Sequence, residues 1–358
     1  MSGKRARAAR RTQDEDWAAL DRAMLCDDID WISSMAQAGA STEASGMLGL
    51  VHLQYFARVT HEGMQLAKRQ RPVDAKKFEL VNAEVVAAAR HSTKLLDDSH
   101  KDLDQIVAEF DAIRLDHRRH FGPLLSVVTA DGRLITSSRT FSYQTRWPLD
   151  KAMQAQGKNN PHYIASYEMG QKLASISIMF GHHPRLYELD SRSIAPDLRM
   201  KDANTSEFAA SHLGKRLPVS VADVLIMTQA SINSALIMLE PARIRFESQV
   251  FRARFVALAH ALSAIEQVLS KWGRFVNHSS ALEEVLASPE AIELRSMRAL
   301  RNRSMHYGAP ASLKNLGPRQ IGYGLVEATC PGRTFRDVEE KTTSVLRRLS
   351  DAFGDVSQ

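Results

Sequence analysis

The chain has 358 residues, of which 44% are hydrophobic and 25% charged. That composition excludes a wholly disordered chain and leaves room for more than one packed unit. A net charge of +6, from 47 basic and 41 acidic side chains, permits an anionic partner without requiring one. Cys26 and Cys330 are the only cysteines, which gives neither a disulfide framework nor a cysteine-based zinc site. A reducing, cytoplasmic setting is the expectation, with no membrane span, because no run of 18 or more apolar residues occurs.

Residues 1–15, beginning MSGKRARAARR, are basic and polar with no apolar signal core behind them, and are expected to form a disordered tail. From 16 to 125 the sequence reads as helical, with four runs. The first is DEDWAALDRAMLCDDIDWISSMAQAG. The second, ASGMLGLVHLQYFARVTHEGMQLAKRQRP, stops before Pro72. AKKFELVNAEVVAAARHSTKLLDDSH is the third, and KDLDQIVAEFDAIRLDHRRHFGPLL the fourth. Residues 126–217 form a mixed connecting region. Two short β-prone runs flank Asp131-Gly132, the strongest hairpin signal in the chain. A helix is expected at about 164–179. The polar stretches RMKDANTSEF and GKRLP read as loops and mark a domain boundary near 200–217.

Residues 218–352 read as a helical bundle. VSVADVLIMTQASINSALIMLEP is almost continuously apolar. It predicts a helix buried on several sides, too short and too interrupted to cross a bilayer. ESQVFRARFVALAHALSAIEQVLSKWG predicts a second long helix. Ser288-Pro289-Glu290 predicts an N-cap, a first-turn proline and an early acid. The helix so opened is expected to run through LRSMRALRNRSMHYGAP, and FRDVEEKTTSVLRRLSDAF supplies the last helix. The expected fold is thus mainly all-α, with a small β-hairpin in the N-terminal half.

The stretch 294–310 carries arginines at 295, 298, 301 and 303, then His306, Gly308 and Pro310. On one continuous helix Arg301 and His306 lie about 140° apart, and Asn302 and His306, four apart, can lie one above the other. The last turn of a helix favours a protonated imidazole. Such a set suits RNA cleavage without a metal. A base takes the ribose 2′-hydroxyl proton, an acid serves the leaving oxygen, and a cation holds the phosphate oxygens. The plainer reading of the same residues is a helix end whose cations cap carbonyls and face solvent.

RNRSMH, Arg301 to His306, resembles the Arg-X4-6-His signature of the HEPN superfamily (higher eukaryotes and prokaryotes nucleotide-binding). Asn302 matches the polar residue that often follows the arginine. The resemblance covers residues 218–352 and implies a four- or five-helix bundle, a homodimer, RNA as partner, and no metal or other cofactor. Arg301 and His306 would be catalytic, with Asn302 supporting and Arg298, Arg303 and Tyr307 as further RNA or phosphate contacts. It also implies a metal-independent endoribonuclease of the toxin, defence or RNA-processing kind. Because the superfamily includes inactive members, a non-catalytic helical nucleotide- or RNA-binding and dimerisation module is the alternative. Members often carry an organising acid on an earlier helix, and Glu240, Glu247 and Glu266 are the candidates in this sequence.

Other constellations are weaker. Asp116, His117 and His120 could begin a metal site with His182 and His183, but histidines on a charged helix usually face water. Arg114, Arg118 and Arg119 make the same segment a basic patch. No phosphate-binding loop, nucleophile elbow or HExxH motif occurs. Trp17, Trp31, Trp147 and Trp272 are scattered and read as core residues.

Overall fold

A computed structural model describes residues 2–40, 42, 45–78, 80, 86–87, 103–145, 161–190, 197–307 and 321–356. Helices α1 (Ser2–Ala40) and α2 (Ser45–Gln70) pair with each other, and a short α3 (Pro72–Lys77) follows. Residues 2–15 of the expected tail belong to α1, which is helical from Ser2. Its alanines and arginines are good helix formers, and a packed helix propagates outward at little cost per residue. The third helix predicted from the sequence falls largely outside the described residues. The next element is α4 (Leu103–Phe121).

Strands β1 (Leu124–Ala130) and β2 (Arg133–Ser137) form the hairpin predicted at Asp131-Gly132. Both turn residues have positive φ, 50° and 77°, the geometry of a two-residue turn that matches strand twist. A bulge between Val128 and Thr129 shifts the register. Helices α5 (Ser138–Thr145) and α6 (Pro161–Phe180) follow, the latter matching the helix expected at 164–179. A third strand, β3 (Leu198–Asn204), pairs antiparallel with β1 and gives the order β2-β1-β3. It runs into α7 (Thr205–His212), capped by Asn204, whose side chain accepts from the Ser206 and Glu207 amides. RMKDANTSEF, which reads as loop, is therefore strand and helix, whereas GKRLP is the loop expected. β3 is an edge strand with a mostly exposed centre, so it lacks the alternation of a half-buried strand.

The apolar run forms α8 (Val219–Asn233), extended by a π turn over Ser234–Met238. With its continuation to Ala242 it is long and apolar enough to span a bilayer, contrary to the length expected, yet 83% of its most apolar window is buried inside the fold. It packs on β2, α4 and α9 (Glu247–Trp272). Arg254 of α9 donates to Ala235 O and Leu236 O, both at 3.0 Å, satisfying carbonyls beside the widened turn. Asn233 donates to Leu134 O at 3.0 Å and accepts from Ser350. One amide thereby ties the hairpin, α8 and the last helix, α14 (Phe335–Phe353).

Helices α10 (Ser279–Leu286), α11 (Pro289–Ser296), α12 (Arg298–Met305) and α13 (Leu325–Thr329) complete the order. Ser288 caps α11 as predicted, accepting from the Ala291 amide. The single helix expected from 289 to 306 is broken at Met297, whose ψ of 50° leaves the helical region. Its side chain is buried, so the bend keeps it in the core. The fold is almost all-α with one small three-stranded sheet. A single buried cluster takes in residues from Met24 on α1 to Phe353 on α14.

Candidate functional site

α12 presents Arg298, Arg301, Asn302 and Arg303 on one turn and a half, then ends at His306. His306 has extended backbone, φ −125° and ψ 147°, so it is the C-cap and not a helical residue. Its amide donates to Asn302 O at 3.0 Å. The ring leaves the helix: Nδ1 lies 2.9 Å from Glu62 Oε2 on α2. Beside a carboxylate, which accepts, Nδ1 is the donor and Nε2 the remaining basic nitrogen. The His306 side chain is 40% exposed while that of Glu62 is 6% exposed. Asn302 does not support His306 through its side chain; its Oδ1 accepts from Arg301 Nη2 at 3.0 Å.

α1 and α2 grip the rest of this helix end. Arg58 donates to Ser304 O at 2.9 Å and Arg69 to Tyr307 O. Arg58 thus serves a carbonyl that the helix C-terminus leaves open at its negative end, and Arg69 one just beyond the cap. Arg303, expected at a phosphate, is 2% exposed, with Nη2 2.6 Å from Asp21 Oδ1. Tyr307, expected at the same surface, is 4% exposed and donates to Asp28, which also pairs with the buried Arg252. Burial, with Asp28 beside it, pushes the Tyr307 phenol well above its ordinary value. Neither side chain reaches solvent, because an apolar helix face turned inward carries its polar residues with it. Arg298 is exposed and Arg301 half-buried.

The space bounded by Asp28, Arg58, Glu62, Arg252 and residues 304–307 has no room for a water-sized sphere. This is a packed joint with one imidazole edge at the surface.

Glu62 is the residue that sequence reasoning missed. It lies 244 positions from His306, and only the pairing of α2 with the C-terminal helices brings it there. The acids considered instead are engaged elsewhere: Glu240 with Arg243 and Arg254, Glu247 with Arg336, and Glu266 with Arg295.

The weaker candidates also resolve into packing. His117 is buried and its Nε2 sits 2.9 Å from Ser138 Oγ. Burial pushes its imidazole down to about 4, and Arg139 adds to the effect. His120 turns to Asp116 at 3.8 Å, and His182 to Asp30 at 2.7 Å. Among the described residues, no group of three or more His, Cys, Asp or Glu side chains is placed to hold a metal ion. Trp31 is buried, Trp272 is half-buried, and Trp17 and Trp147 lie outside the described side chains. No protein-family model matches this chain, and neither a curated protein nor a solved structure does.

Proposed function

We propose that the chain is a non-catalytic helical RNA- or nucleotide-binding module that works as a homodimer. Its phosphate-facing surface is Arg298, Arg301, Asn302 and the exposed edge of His306. The closed joint beside His306 supports this reading: among the described residues it leaves no room for even a water-sized sphere. Arg298 and Arg301, three apart on α12, share a face. A guanidinium pair of this kind suits phosphate oxygens, with a polar amide between.

A second reading rests on the Glu62–His306 contact. A buried carboxylate on Nδ1 orients the imidazole and leaves Nε2 outward, the arrangement of a general acid or base. In that reading the chain is a HEPN-like, metal-independent endoribonuclease. Arg301 steadies the phosphate, and a second copy supplies the missing wall. The 2′-oxygen bonds to phosphorus as the 5′-oxygen leaves, giving a 2′,3′-cyclic phosphate and a 5′-hydroxyl.

One experiment separates the two. Fluorescently labelled single-stranded RNA is incubated with the protein in EDTA, and anisotropy and product ends are followed at several salt concentrations. The binding module should retain intact RNA and lose affinity about tenfold or more in Arg298→Glu/Arg301→Glu. That variant should also show a shallower salt dependence. His306→Ala should then weaken affinity less than that double variant does, and Glu62→Gln should change it little. Cyclic-phosphate ends that vanish in His306→Ala, with fold and dimer intact, would overturn this reading in favour of the nuclease. No RNA affinity near physiological salt would sink both.

A further inference from the structure

α1, α2 and α6 border a half-open cavity of about 860 Å³, on a different part of α1 and α2 from the His306 joint. Ile32, Leu53, Phe56, Met169 and Leu173 are among the side chains that form its wall. Among the described residues, no Asp, Glu, Lys or Arg lines it. A charged group placed inside would lose its hydration with no counter-charge to replace it, which excludes phosphates and carboxylates.

Two exposed helix glycines stand at its border. Gly49 of α2 and Gly170 of α6 both border the cavity, and a Cβ added at either meets nothing within 4 Å. Close packing therefore does not demand glycine at these positions. Glycine within a helix costs roughly 1 kcal/mol relative to alanine, and here it leaves the walls low. Ser33, His52, Ser166 and Ser177 are the polar side chains that border the same cavity among the described residues. His52 Nε2 and Ser177 Oγ are buried with no hydrogen-bond partner, a state that costs about 1–3 kcal/mol per group. Burial holds the His52 imidazole down at about 4, so at neutral pH it offers an uncharged ring.

We propose that this cavity binds an uncharged, mainly apolar small molecule that carries one hydrogen-bonding group. The volume lies within the roughly 300–1,000 Å³ of small-molecule sites. A stable protein partner needs about 800 Å² of surface per side, more than these walls expose. A small rotation of His52 or Ser177 toward the ligand gives an orphaned polar atom its partner. The proposal is independent of any role for the Arg-His helix end.

The test uses the full chain and N-phenyl-1-naphthylamine, an uncharged fluorescent probe with a single N–H. Its sulfonated relative, 8-anilino-1-naphthalenesulfonate, is the charged control. Saturable uptake of one probe per chain is expected, reversed by 1-decanol, with the sulfonate roughly tenfold weaker or worse. Gly170→Leu should fill the cavity and weaken probe binding by about tenfold or more, with unchanged circular dichroism and a melting temperature equal or higher. Gly49→Leu is the second filling variant should the first not fold. Absence of saturable uptake would overturn the proposal, as would equal uptake by both filled variants or equal affinity for the sulfonate. Wild-type dimers that ignore the probe and dissociate in Gly170→Leu would assign the face to a second copy instead.

Discussion

Removing either member of the Asp21–Arg303 pair tests whether Arg303 belongs to the core or to a binding surface. Arg303 Nη2 lies 2.6 Å from Asp21 Oδ1, and both residues are at most 4% exposed. Arg303 Nε and Nη1 lack hydrogen-bond partners, so the pair is tightly apposed but incompletely satisfied. Asp21→Ala strands a buried guanidinium and Arg303→Met strands a buried carboxylate. Each should cost about 3–5 kcal/mol, a large share of the roughly 5–15 kcal/mol that stabilises a typical fold. Replacing both by apolar residues of similar size removes the desolvation burden along with the attraction. Asp21→Leu/Arg303→Met should therefore lose at least about 2 kcal/mol less than the two single changes predict together. Urea titrations followed by circular dichroism read this. If a single variant does not fold, recovery in the double variant carries the result. The double variant should also bind RNA as the wild type does. Singles within about 0.5 kcal/mol of wild type, additive losses, or RNA affinity that falls with Arg303 alone would refute the buried-pair argument.

Two further perturbations probe the surroundings. Burial holds His52 at about 4 in the native state, against about 6.5 in an unfolded chain, so only the unfolded chain takes up a proton between those values. Stability is full above about pH 6.5 and falls as the pH drops toward 4, by at most about 3 kcal/mol. His52→Leu should flatten this part of the urea-midpoint profile, and parallel profiles for the two proteins would contradict it. At the hairpin, Gly132 has φ 77°, a conformation that a β-branched side chain resists. Gly132→Val should lower stability by about 1–2 kcal/mol or more, whereas an unshifted melting temperature would mean the turn is not formed as described.

Local signals in the sequence were enough for some elements. The two positive-φ residues of the hairpin are Asp and Gly in adjacent positions, a turn chemistry that needs no tertiary context. The Ser288 cap and the long α9 are equally local. β3 escaped notice because its partner β1 lies some seventy residues earlier, and its exposed edge carries no apolar period. The break at Met297 is likewise silent: no Gly or Pro marks it, and only packing of the Met297 side chain accounts for the bend. Glu62 was invisible for a third reason. Nothing near it in sequence points to His306, which lies 244 positions away, and Glu240, Glu247 and Glu266 are instead taken up by arginines. Arg303 is buried because a motif read along the chain ignores helical phase, and Tyr307, past the helix end, is buried against Asp28 on α1.

That phase explains the crowding of arginines. The bend at Met297 separates Arg295, which pairs with Glu266, from the turn that follows. Within α12, Arg298 and Arg301 share a face, while Arg303 lies about 140° round from Arg298 and enters the core against Asp21 on α1. Four arginines that read as one basic surface are thus one exposed ion pair, one buried ion pair and a two-arginine face. The C-terminal helices also depend on the N-terminal ones for their charges: Asp21 answers Arg303, Asp28 answers Arg252 and Tyr307, and Glu62 answers His306. An unpaired charge in a core is strongly unfavourable. The residues that resemble a HEPN motif are therefore held in place by helices outside the region of resemblance, and any function of Arg301 and His306 is a property of both halves.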